Sequence, residues 1–516
     1  MRATTALKRA IQTRVNHTAV VFEKEKKTWG EVGDRVKRGA SVLASLGVQP
    51  RDRVAVLSLN NATYFELLFA CPWINAVIVP LNTRWSIAET ERGLNDCGAK
   101  LLIVDKEFLP YAEALKEKLP GLKLVYFGSG ACPGGYSDYE ALIANAAPAE
   151  EIPAEPDDLW SIKYTGGTTG HPKGVMLSNR NVYTAAMIWV ATGGFREESN
   201  YMHIAGFFHI VSSAPAVAIT MAGGTNVIVA RFEPEATMRT IQDNKVNFST
   251  FVPTMLNMML HDPALPNYDL TSMGDCIYGG SPIPDALIKL AIEKLPTWRF
   301  IQGYGQTEST GILTSLPWAA HFGEGSANKR RATGRPGYGV ELRIVDPDGN
   351  EVPLGDTGEV VTRGTNVMPG YWNNEKATAE VLKNGWLHTG DAARMDEDGY
   401  IRIVDRLKDM IVSGGENVFS IEVENAVSSH PAVRECAVFG IPDEKWGEAI
   451  HVVVVCKAGH SATADDIIAH CKTLIANFKC PRSVEFRDAM PMSAAGKIQK
   501  SVMRAEYWKD RDRSVN

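Results

Sequence analysis

Residues 164–174 read YTGGTTGHPKG, and the segments on either side indicate the fold to which this loop belongs. Ile162–Tyr164 has the composition of a short strand, and Val175–Leu177 continues as a second strand after the loop. Ser178 then precedes a helical stretch and is a typical N-cap residue. Because glycine and threonine fill the loop, backbone N–H groups and hydroxyls can surround an anion there. The stretch therefore predicts a phosphate site between two strands, with Lys173 adding positive charge.

Two other interpretations of this loop are a P-loop ATPase site and a flexible glycine loop that binds nothing. The Walker A pattern, GxxxxGK[ST], requires Gly-Lys at the mouth of a helix, followed by Ser or Thr. In this chain Pro172 precedes Lys173 and Gly174 follows it, so the pattern is not met. A loop without a ligand stays open from the loop sequence alone.

Length and composition limit the class of protein. The chain has 516 residues, 45% of them hydrophobic and 22% charged, as in ordinary globular proteins. Because a single core rarely grows beyond about 250–300 residues, we expect at least two structural units. The formal net charge is −6 and no basic stripe stands out, so we expect no nucleic-acid partner. Eight cysteines are scattered without regular spacing, which favours reduced thiols over a disulfide framework or a zinc site.

The N-terminal segment contains several basic residues before its first acidic residue, Glu23. That composition is compatible with an organellar presequence, but the segment lacks the apolar core of a secretory signal. Ala6, Ile11 and Val15 lie at near-helical spacing, which favours an amphipathic first helix. No apolar run reaches the roughly 18–20 residues of a membrane span. We expect a cytoplasmic protein, and the sequence leaves open whether it forms a homodimer.

The predicted secondary structure changes character along the chain. Helical stretches alternate with short apolar strands over residues 30–120 and again from 159 to about 300, which indicates a layered α/β core with parallel strands. Between them, residues 128–156 are rich in Gly, Pro and Ala and are predicted to form a surface connection. Turn signals over residues 337–405 indicate β-hairpins. A compact α+β pattern follows, with a helix near Asp465–Asn477, so we predict a large domain over 1–405 and a small domain after it.

Together with five further motifs, the loop resembles the adenylate-forming enzymes, which include acyl-CoA synthetases, coumarate-CoA ligases, luciferases and peptide-synthetase adenylation domains. The motifs occur in family order over roughly residues 20–505 and are GGSPIP (279–284), GYGQTE (303–308), WLHTGD (386–391), DRLKDMIVSGGENV (405–418) and PMSAAGKIQK (491–500). One motif would be moderate evidence, whereas six in order are specific. The resemblance implies an α/β fold: a large N-terminal domain of several subdomains with layered sheets and helices plus a β-rich portion, and a small mobile α+β C-terminal domain.

The resemblance also implies an ATP and AMP site built from these motifs. Thr307 would contact the α-phosphate and Glu308 would ligate Mg²⁺, for which a carboxylate oxygen is a suitable ligand. Tyr304 has a flat face for adenine, and Asp391 would accept hydrogen bonds from both ribose hydroxyls, with Arg406 on the other side. The nucleotide-binding residues implied are Thr165, Gly166, Gly167, Thr168, Thr169, Gly170, Lys173, Gly279, Gly280, Ser281, Gly303, Tyr304, Gly305, Thr307, Asp391, Arg406 and Lys497.

Each of these residues also has a plainer interpretation. Thr307-Glu308 could begin a helix, where an acidic residue suits the helix dipole. Tyr304 could pack in the core, and Gly390-Asp391 could form a turn. A solvated surface lysine is the default interpretation of Lys497, which follows small residues and a glycine.

Two lysines carry the mechanism that the resemblance implies. In the family, the lysine at position 497 enters the site and bridges the substrate carboxylate and the α-phosphate, where an anion attacks an anion and cations must neutralise charge. Lys500 is near but does not match this position. Lys408 matches the hinge residue that absorbs a rotation of the small domain, although a solvated hairpin lysine is the alternative. The implied hinge is 406–409, the small domain is 410–516, and the residues assigned to the CoA side are Ser413, Gly414, Gly415 and Trp446.

The acyl pocket is predicted less specifically. His209, in GFFHIVS, matches a family position near the acyl group, with a packed core histidine as the alternative, and His203 is less favoured. The predicted pocket residues are Phe208, His209, Val211, Thr254, Met255, Tyr278 and Gly305, with Met258 and Met259 as adaptable neighbours. The stretches around them contain no Arg or Lys, which disfavours a dicarboxylate. A fatty acid of medium or longer chain is favoured over a cinnamate-like aromatic acid.

The resemblance therefore implies an AMP-forming acyl-CoA ligase that uses ATP, Mg²⁺ and CoA, with Lys497, Thr307, Glu308 and His209 as catalytic residues. The alternatives are an acyl-AMP ligase without CoA transfer, a luciferase-like oxygenase, a P-loop phosphotransferase and an inactive nucleotide-binding module. We see no carrier-protein module, which favours a free acceptor. Two positions depart from the family pattern. Gly166 stands where serine is frequent, and Ser420 stands where proline is common, which predicts a less rigid loop before the next helix.

Overall fold

The structure is a computed structural model that describes residues 1–128, 130–165, 172–323, 325–414, 416–493 and 497–509. Of the predicted site residues, Gly166–Gly170 and Gly415 lie outside the described residues. The strands are β1 (Thr18–Phe22), β2 (Glu25–Thr28), β3 (Arg53–Leu57), β4 (Val77–Pro80), β5 (Leu101–Val104), β6 (Lys123–Tyr126), β7 (Ser137–Asp138), β8 (Leu159–Thr165), β9 (Lys173–Ser178), β10 (Asn200–His203), β11 (Thr225–Ile228), β12 (Phe248–Phe251), β13 (Asp275–Gly279), β14 (Arg299–Gln306), β15 (Gly311–Leu316), β16 (Arg335–Pro336), β17 (Glu341–Val345), β18 (Gly358–Arg363), β19 (Leu382–Lys383), β20 (Trp386–Met395), β21 (Ile401–Arg406), β22 (Ile411–Ser413), β23 (Glu416–Val418), β24 (Val433–Asp443), β25 (Gly447–Cys456) and β26 (Ser483–Phe486).

The α-helices alternate with these strands through most of the chain. They are α1 (Ala3–Arg14), α2 (Trp29–Ser45), α3 (Ala62–Trp73), α4 (Ile87–Cys97), α5 (Leu109–Lys118), α6 (Tyr139–Asn145), α7 (Asn179–Gly193), α8 (Ile210–Ala222), α9 (Pro234–Asn244), α10 (Pro253–Leu260), α11 (Asp285–Lys294), α12 (Ser326–Lys329), α13 (Glu375–Val381), α14 (Ser420–Ser428), α15 (Ala464–Lys472) and α16 (Lys500–Tyr507). Ser178 is the N-cap of α7, as predicted, and its side chain accepts a hydrogen bond from the Asn181 backbone N–H.

Two mainly parallel sheets form the core of the large domain. In the part of the chain that the structure describes, one has nine strands in the order β16-β15-β14-β13-β12-β10-β11-β1-β2 and the other has seven in the order β7-β6-β5-β3-β4-β8-β9. Helices α1, α2, α3, α7 and α8 lie between the sheets and share one buried core with both. Helices α9–α11 cover the outer face of the nine-stranded sheet, and α4 and α5 cover the outer face of the other. Because helices cover both faces, strands such as β4 and β5 are continuous apolar runs.

Two smaller sheets complete the fold within the described ranges. One is antiparallel, with the order β17-β18-β20-β19 and with β21 beside β20, and it forms the β-rich portion predicted from the turn signals. The other has the order β23-β22-β25-β24, with β26 beside β25, and lies wholly after Asp409. Helices α14 and α15 pack on one face of it, and α16 packs on the opposite face. The predicted fold class, a layered α/β domain followed by a small α+β domain, is confirmed.

Two local predictions are wrong. The stretch predicted to be a surface connection, 128–156, contains β7 and α6, because the Asp138 side chain caps α6 and Tyr139 and Ile143 are buried. The helix predicted near Asp465–Asn477 ends at Lys472, since the N–H groups of Thr473 and Leu474 bond back only three residues in a tighter turn. All eight cysteines, each a described residue, are free thiols. No helix among the described residues is long and apolar enough to cross a bilayer.

Candidate active site

The predicted nucleotide motifs lie at the carboxyl ends of strands in both large sheets, β8 in the seven-stranded sheet and β13 and β14 in the nine-stranded sheet. Strand β8 ends at Thr165, β13 ends at Gly279, and Thr307 follows directly after β14. In open α/β sheets, ligands bind in the crevice outside the carboxyl ends of the strands. Thr165 pairs with Lys173 across β8 and β9, so both described ends of the threonine- and glycine-rich segment belong to one strand pair.

Glycine is required where β13 meets β14 and where β14 meets β15. A Cβ atom on Gly279 would lie 2.0 Å from the carbonyl oxygen of Gly303, and one on Gly305 would lie 1.8 Å from that of Gly311. Neither approach is sterically allowed, so no other residue fits. Gly280 adopts φ +80°, and a Cβ there would lie 3.8 Å from Cε of Lys497. The GGSPIP turn therefore lies against the Lys497 side chain.

Glu308 is held by a residue that the sequence analysis missed. It lies in the short 3-10 helix Thr307–Ser309. The Tyr371 hydroxyl donates to Oε1 of Glu308 over 2.9 Å, and the Met368 backbone N–H donates to the Glu308 carbonyl oxygen over 2.8 Å. Nζ of Lys173 lies 5.0 Å from the centroid of the Tyr371 ring. Tyr371 thus connects the lysine that follows the threonine- and glycine-rich segment to the carboxylate predicted to ligate Mg²⁺.

Asp391 is contacted from two sides and is only 5% exposed. The Tyr304 hydroxyl donates to Oδ2 of Asp391 over 2.7 Å, and Nε of Arg406 lies 3.3 Å from Oδ1. Asp391 and Arg406 are direct partners across β20 and β21, which explains their proximity. Burial raises the pKa of the Asp391 carboxyl, while the Arg406 guanidinium and the Tyr304 hydroxyl act to lower it. Asp391 lies in a strand, so the alternative of a Gly-Asp turn does not describe it.

Lys497 lies among these charged groups. Burial and the Arg406 guanidinium lower the pKa of Lys497 to about 8, although the carboxylates of Asp391 and Glu308 act in the opposite direction. Its backbone N–H donates to Oγ of Ser493 over 3.1 Å, and the Ser493 N–H donates to the Lys497 carbonyl oxygen over 2.7 Å. This environment differs from that of a solvated surface lysine.

Arg84 connects the Lys497 segment to the large domain. Its Nη1 atom donates to the Ser493 carbonyl oxygen over 3.0 Å. Arg84 follows β4 of the seven-stranded sheet, whereas Ser493 lies after β26 of the small domain. The contact therefore spans the two domains, and the sequence analysis did not identify it because 409 residues separate the partners.

The predicted hinge runs from Arg406, the last residue of β21, through the 3-10 helix Leu407–Asp409, and the residues assigned to the CoA side follow it. Nη1 of Arg504 donates to the Lys408 carbonyl oxygen over 3.3 Å. Ser413 is buried at the end of β22, and Gly414 adopts φ +64°. The Gly414 N–H donates to the Trp446 carbonyl oxygen over 2.8 Å, and the Arg482 guanidinium stacks 4.2 Å from the Trp446 ring. Ser413, Gly414 and Trp446 thus form one group on the small domain.

Three of the predicted acyl residues, Phe208, His209 and Val211, lie at the start of α8. His209 is the N-cap of α8 and is half-buried, with its ring centroid 4.1 Å from that of Phe208. A buried lysine that the sequence analysis missed lies behind this turn, where Nζ of Lys163 donates to the Phe207 carbonyl oxygen over 3.0 Å. Burial lowers the pKa of Lys163 to about 7. His203 is a core residue, since its Nε2 lies 2.9 Å from Oδ1 of Asn226.

Three other predicted pocket side chains differ in how far they are exposed. Tyr278 is fully buried in the core under α9–α11, with its hydroxyl 3.0 Å from Nε2 of His321. Met259 is buried in the same core, while Met258 is 54% exposed. One face of α10 turns to the core and the opposite face to solvent, which separates these two neighbours. Thr254 and Met255 are half-buried, as are Phe208 and Val211.

This fold, with cations and carboxylates converging at the strand ends, has the character of an enzyme that handles a nucleotide phosphate. The model of the family described as AMP-binding enzyme matches residues 7–372, and that of the AMP-binding enzyme C-terminal domain matches residues 422–497. The chain belongs to this family of adenylate-forming enzymes, and its relatives support an ATP-dependent acyl- or aryl-CoA ligase.

Similar proteins align with nearly the whole chain. A feruloyl-CoA synthase of Amycolatopsis sp is 37% identical over 481 residues, which are 93% of this chain and 94% of the relative. A long-chain fatty-acid–CoA ligase of Mycobacterium tuberculosis is 34% identical over 482 residues, 93% of each chain. The crystal structure of an anthranilate CoA ligase in complex with anthranoyl-AMP superposes with a TM-score of 0.92 at 30% identity, covering 98% of this chain and 97% of that one.

Proposed function

We propose that the protein activates a hydrophobic carboxylic acid in two half-reactions. A carboxylate oxygen of the acid attacks the α-phosphorus of ATP, which gives acyl-AMP and releases pyrophosphate. The thiol of CoA then attacks the acyl carbonyl carbon, which gives the thioester and releases AMP. The observation that carries this proposal is the convergence of Lys497 with Asp391, Arg406 and Glu308. Because both reactants of the first step are anions, a positioned cation stabilises the charge that develops on the transferred phosphorus.

We assign the nucleotide to the crevice at the strand ends. Asp391 would accept hydrogen bonds from the ribose hydroxyls, with Arg406 beside it, and Tyr304 would face adenine. Thr307 would contact the α-phosphate, and Lys173 the outer phosphates.

Glu308 is the residue that would hold Mg²⁺. Among the described residues, no group of three or more His, Cys, Asp or Glu side chains could hold a metal ion. A single carboxylate fits Mg²⁺, which binds proteins through one or two carboxylates together with substrate phosphates and water. A bound Mg²⁺ would neutralise phosphate charge, and the hydrogen bond from Tyr371 orients the Glu308 carboxylate that would hold it.

The Glu308→Ala variant is expected to slow adenylation by at least the roughly 10- to 100-fold that loss of a residue supporting a metal ligand costs, while weakening ATP binding much less, because it removes the metal-binding group itself. Pyrophosphate release and calorimetric ATP binding, each with and without Mg²⁺, measure the two effects. Glu293→Ala, at an exposed position of α11, is the matched control. Near-normal adenylation by Glu308→Ala at ordinary Mg²⁺ concentrations would show that the assignment is wrong.

Adenylation is expected to decline above about pH 8 as Lys497 loses its proton. A lysine is cationic below its pKa, so the charge is present at neutral pH and is lost as the pH rises through about 8. The kcat/KM for ATP in pyrophosphate release reports the free enzyme and should fall about tenfold per pH unit beyond that point. In Lys497→Arg, which stays charged, the decline should be absent whatever the absolute rate. A flat wild-type profile to about pH 9.5 would contradict this role.

The favoured acid is a fatty acid of medium or longer chain. Phe208, Val211 and Met255 are half-buried apolar side chains around the start of α8 and α10, and the predicted pocket stretches contain no Lys or Arg. An aromatic acid is the second candidate, because the feruloyl-CoA synthase and anthranilate ligase relatives act on aromatic acids by name.

One experiment tests both the reaction and the acid. Purified protein is supplied with MgATP, CoA and a panel of medium- and long-chain fatty acids and cinnamate-like acids, and pyrophosphate, AMP and acyl-CoA are measured. We expect all three products, with the highest kcat/KM for a fatty acid. Acyl-AMP without thioester would indicate an acyl-AMP ligase, and ADP as product would indicate a phosphotransferase. Absence of pyrophosphate release with every acid would indicate an inactive nucleotide-binding module.

A further inference from the structure

Beyond the nucleotide site, a polar cluster with two buried and two half-buried members spans the predicted hinge. It consists of Asp405, Ser420, Glu424 and Lys500, and is called the hinge cluster below. Asp405 is 2% exposed and lies in β21, immediately before the hinge segment 406–409. The other three residues belong to α14 and α16 of the small domain. The hinge cluster therefore joins the two sides of the hinge.

Asp405 and Ser420 make the contact across the hinge. The Asp405 carboxylate accepts hydrogen bonds from the Ser420 backbone N–H and, over 3.2 Å, from the Ser420 hydroxyl. It also accepts one from the Arg406 N–H over 2.7 Å. Burial raises the pKa of Asp405 to about 6, against the effect of the Lys500 ammonium, so the carboxylate is ionised at neutral pH. Hydrogen bonds to an ionised acceptor are stronger than neutral ones.

Lys500 attaches this contact to the rest of the small domain. Its Nζ atom donates to the Ser420 hydroxyl over 2.7 Å and lies 2.7 Å from Oε1 of Glu424. The Glu424 carboxylate also accepts from the Val438 N–H in β24 over 2.9 Å. Lys500 thus has a structural role at the hinge. This role explains why a second lysine lies three residues after Lys497, although it does not match the family's catalytic lysine.

From these contacts we propose that Asp405 and Ser420 are positioning residues that hold the small domain in the orientation for adenylation; this inference rests on the two-step function proposed above. The same orientation brings Lys497 to Asp391 and Glu308. A rotation about Lys408 moves Ser420 relative to Asp405, whereas the bond between Arg504 and Asp409 lies on the small-domain side and moves with it. The rotation must therefore break buried hydrogen bonds to a carboxylate, which favours the adenylation orientation.

The contact with Asp405 depends on serine at position 420, because both its backbone N–H and its hydroxyl donate to the carboxylate. Proline, which is common there in the family, has neither a backbone N–H nor a hydroxyl to donate. The sequence predicts that Ser420 leaves the loop less rigid than proline would. In the structure Ser420 is fully buried and bonded to both Asp405 and Lys500, contacts that oppose such a loss of rigidity. In this chain the balance between the two orientations is consequently shifted towards adenylation.

The test compares the two half-reactions in Ser420→Pro and Ser420→Ala. Adenylation is measured as pyrophosphate release, and thioester formation is measured from supplied acyl-AMP and CoA. The ratio of the thioester rate to the adenylation rate should rise about tenfold in Ser420→Pro, which loses both donors, and about threefold in Ser420→Ala, which keeps the N–H. Ser429→Ala, just beyond the other end of α14, should leave the ratio unchanged.

A purely structural role for Ser420 predicts a different result. Loss of stability lowers both rates together and leaves their ratio at the wild-type value in both variants, and that outcome would overturn the proposal. Distances between spin labels on the two domains should also shift away from the adenylation orientation in unliganded Ser420→Pro, and an unshifted distribution would count against it. If the wild-type protein releases no pyrophosphate with any acid, the proposed function fails instead. The label distances still test the hinge cluster in that case.

Discussion

Replacement of Lys497 by alanine is expected to slow acyl-AMP formation by roughly 10²–10³-fold, as for loss of one preorganised transition-state donor, about 2.7–4 kcal/mol. The lysine lies beside the Gly280 turn and among Asp391, Arg406 and Glu308, where its cation can lie between the carboxylate and the α-phosphate. The same variant should convert supplied acyl-AMP and CoA to thioester at the wild-type rate if, as the family resemblance implies, the small domain has by then carried Lys497 away.

Separate assays of the two half-reactions on this variant distinguish three roles for Lys497. A solvated lysine predicts no effect on either step, and a lysine that only stabilises the fold predicts loss of both. Lys472→Ala, at the exposed end of α15, is the matched control and should behave as wild type. Equal loss in both half-reactions would refute the rotation of the small domain.

Much of the fold could be predicted because its signals are local in sequence. Strands β3, β4 and β5 are apolar runs that need both faces covered, and such runs alternate with helical stretches in the sequence. The start of α7 is also marked by a local signal, since Ser178 caps the helix by bonding to a residue only three positions away. Stretch 128–156 was predicted wrongly because its composition suggests a loop, whereas burial of Tyr139 stabilises a short helix.

The site residues that were not predicted make contacts with residues far away in the sequence. The Tyr371 hydroxyl meets Glu308 across 63 residues, and Arg84 meets Ser493 across 409 residues. Neither pair has a spacing that a sequence pattern can reveal, so only the packed structure brings the partners together. Ser420 is a similar case, because its partner Lys500 lies 80 residues further along the chain.

Side-chain direction explains why the residues predicted to line the acyl pocket differ in their exposure to solvent. Met258 and Met259 are adjacent in α10, but successive helical residues point about 100° apart, so one is exposed and the other is in the core. Tyr278 precedes Gly279 by one residue in β13, and neighbouring strand residues point to opposite faces of the sheet. A motif locates the segment of chain near a ligand, whereas the packing of each element decides which of its side chains face that ligand.

The Lys408→Pro variant is expected to keep adenylation near the wild-type rate while lowering thioester formation by at least about 100-fold, equivalent to about 2.7 kcal/mol or more. Lys408 lies in a 3-10 helix, whose usual φ is close to the value of about −65° that proline imposes, so the adenylation orientation accommodates the change. If residue 408 is the hinge, the rotation that brings CoA to acyl-AMP needs a different backbone torsion there, which proline would forbid. Lys408→Ala leaves the torsion free and should form thioester at nearly the wild-type rate. If Lys408→Pro makes acyl-CoA from supplied acyl-AMP as fast as Lys408→Ala does, residue 408 is not the hinge.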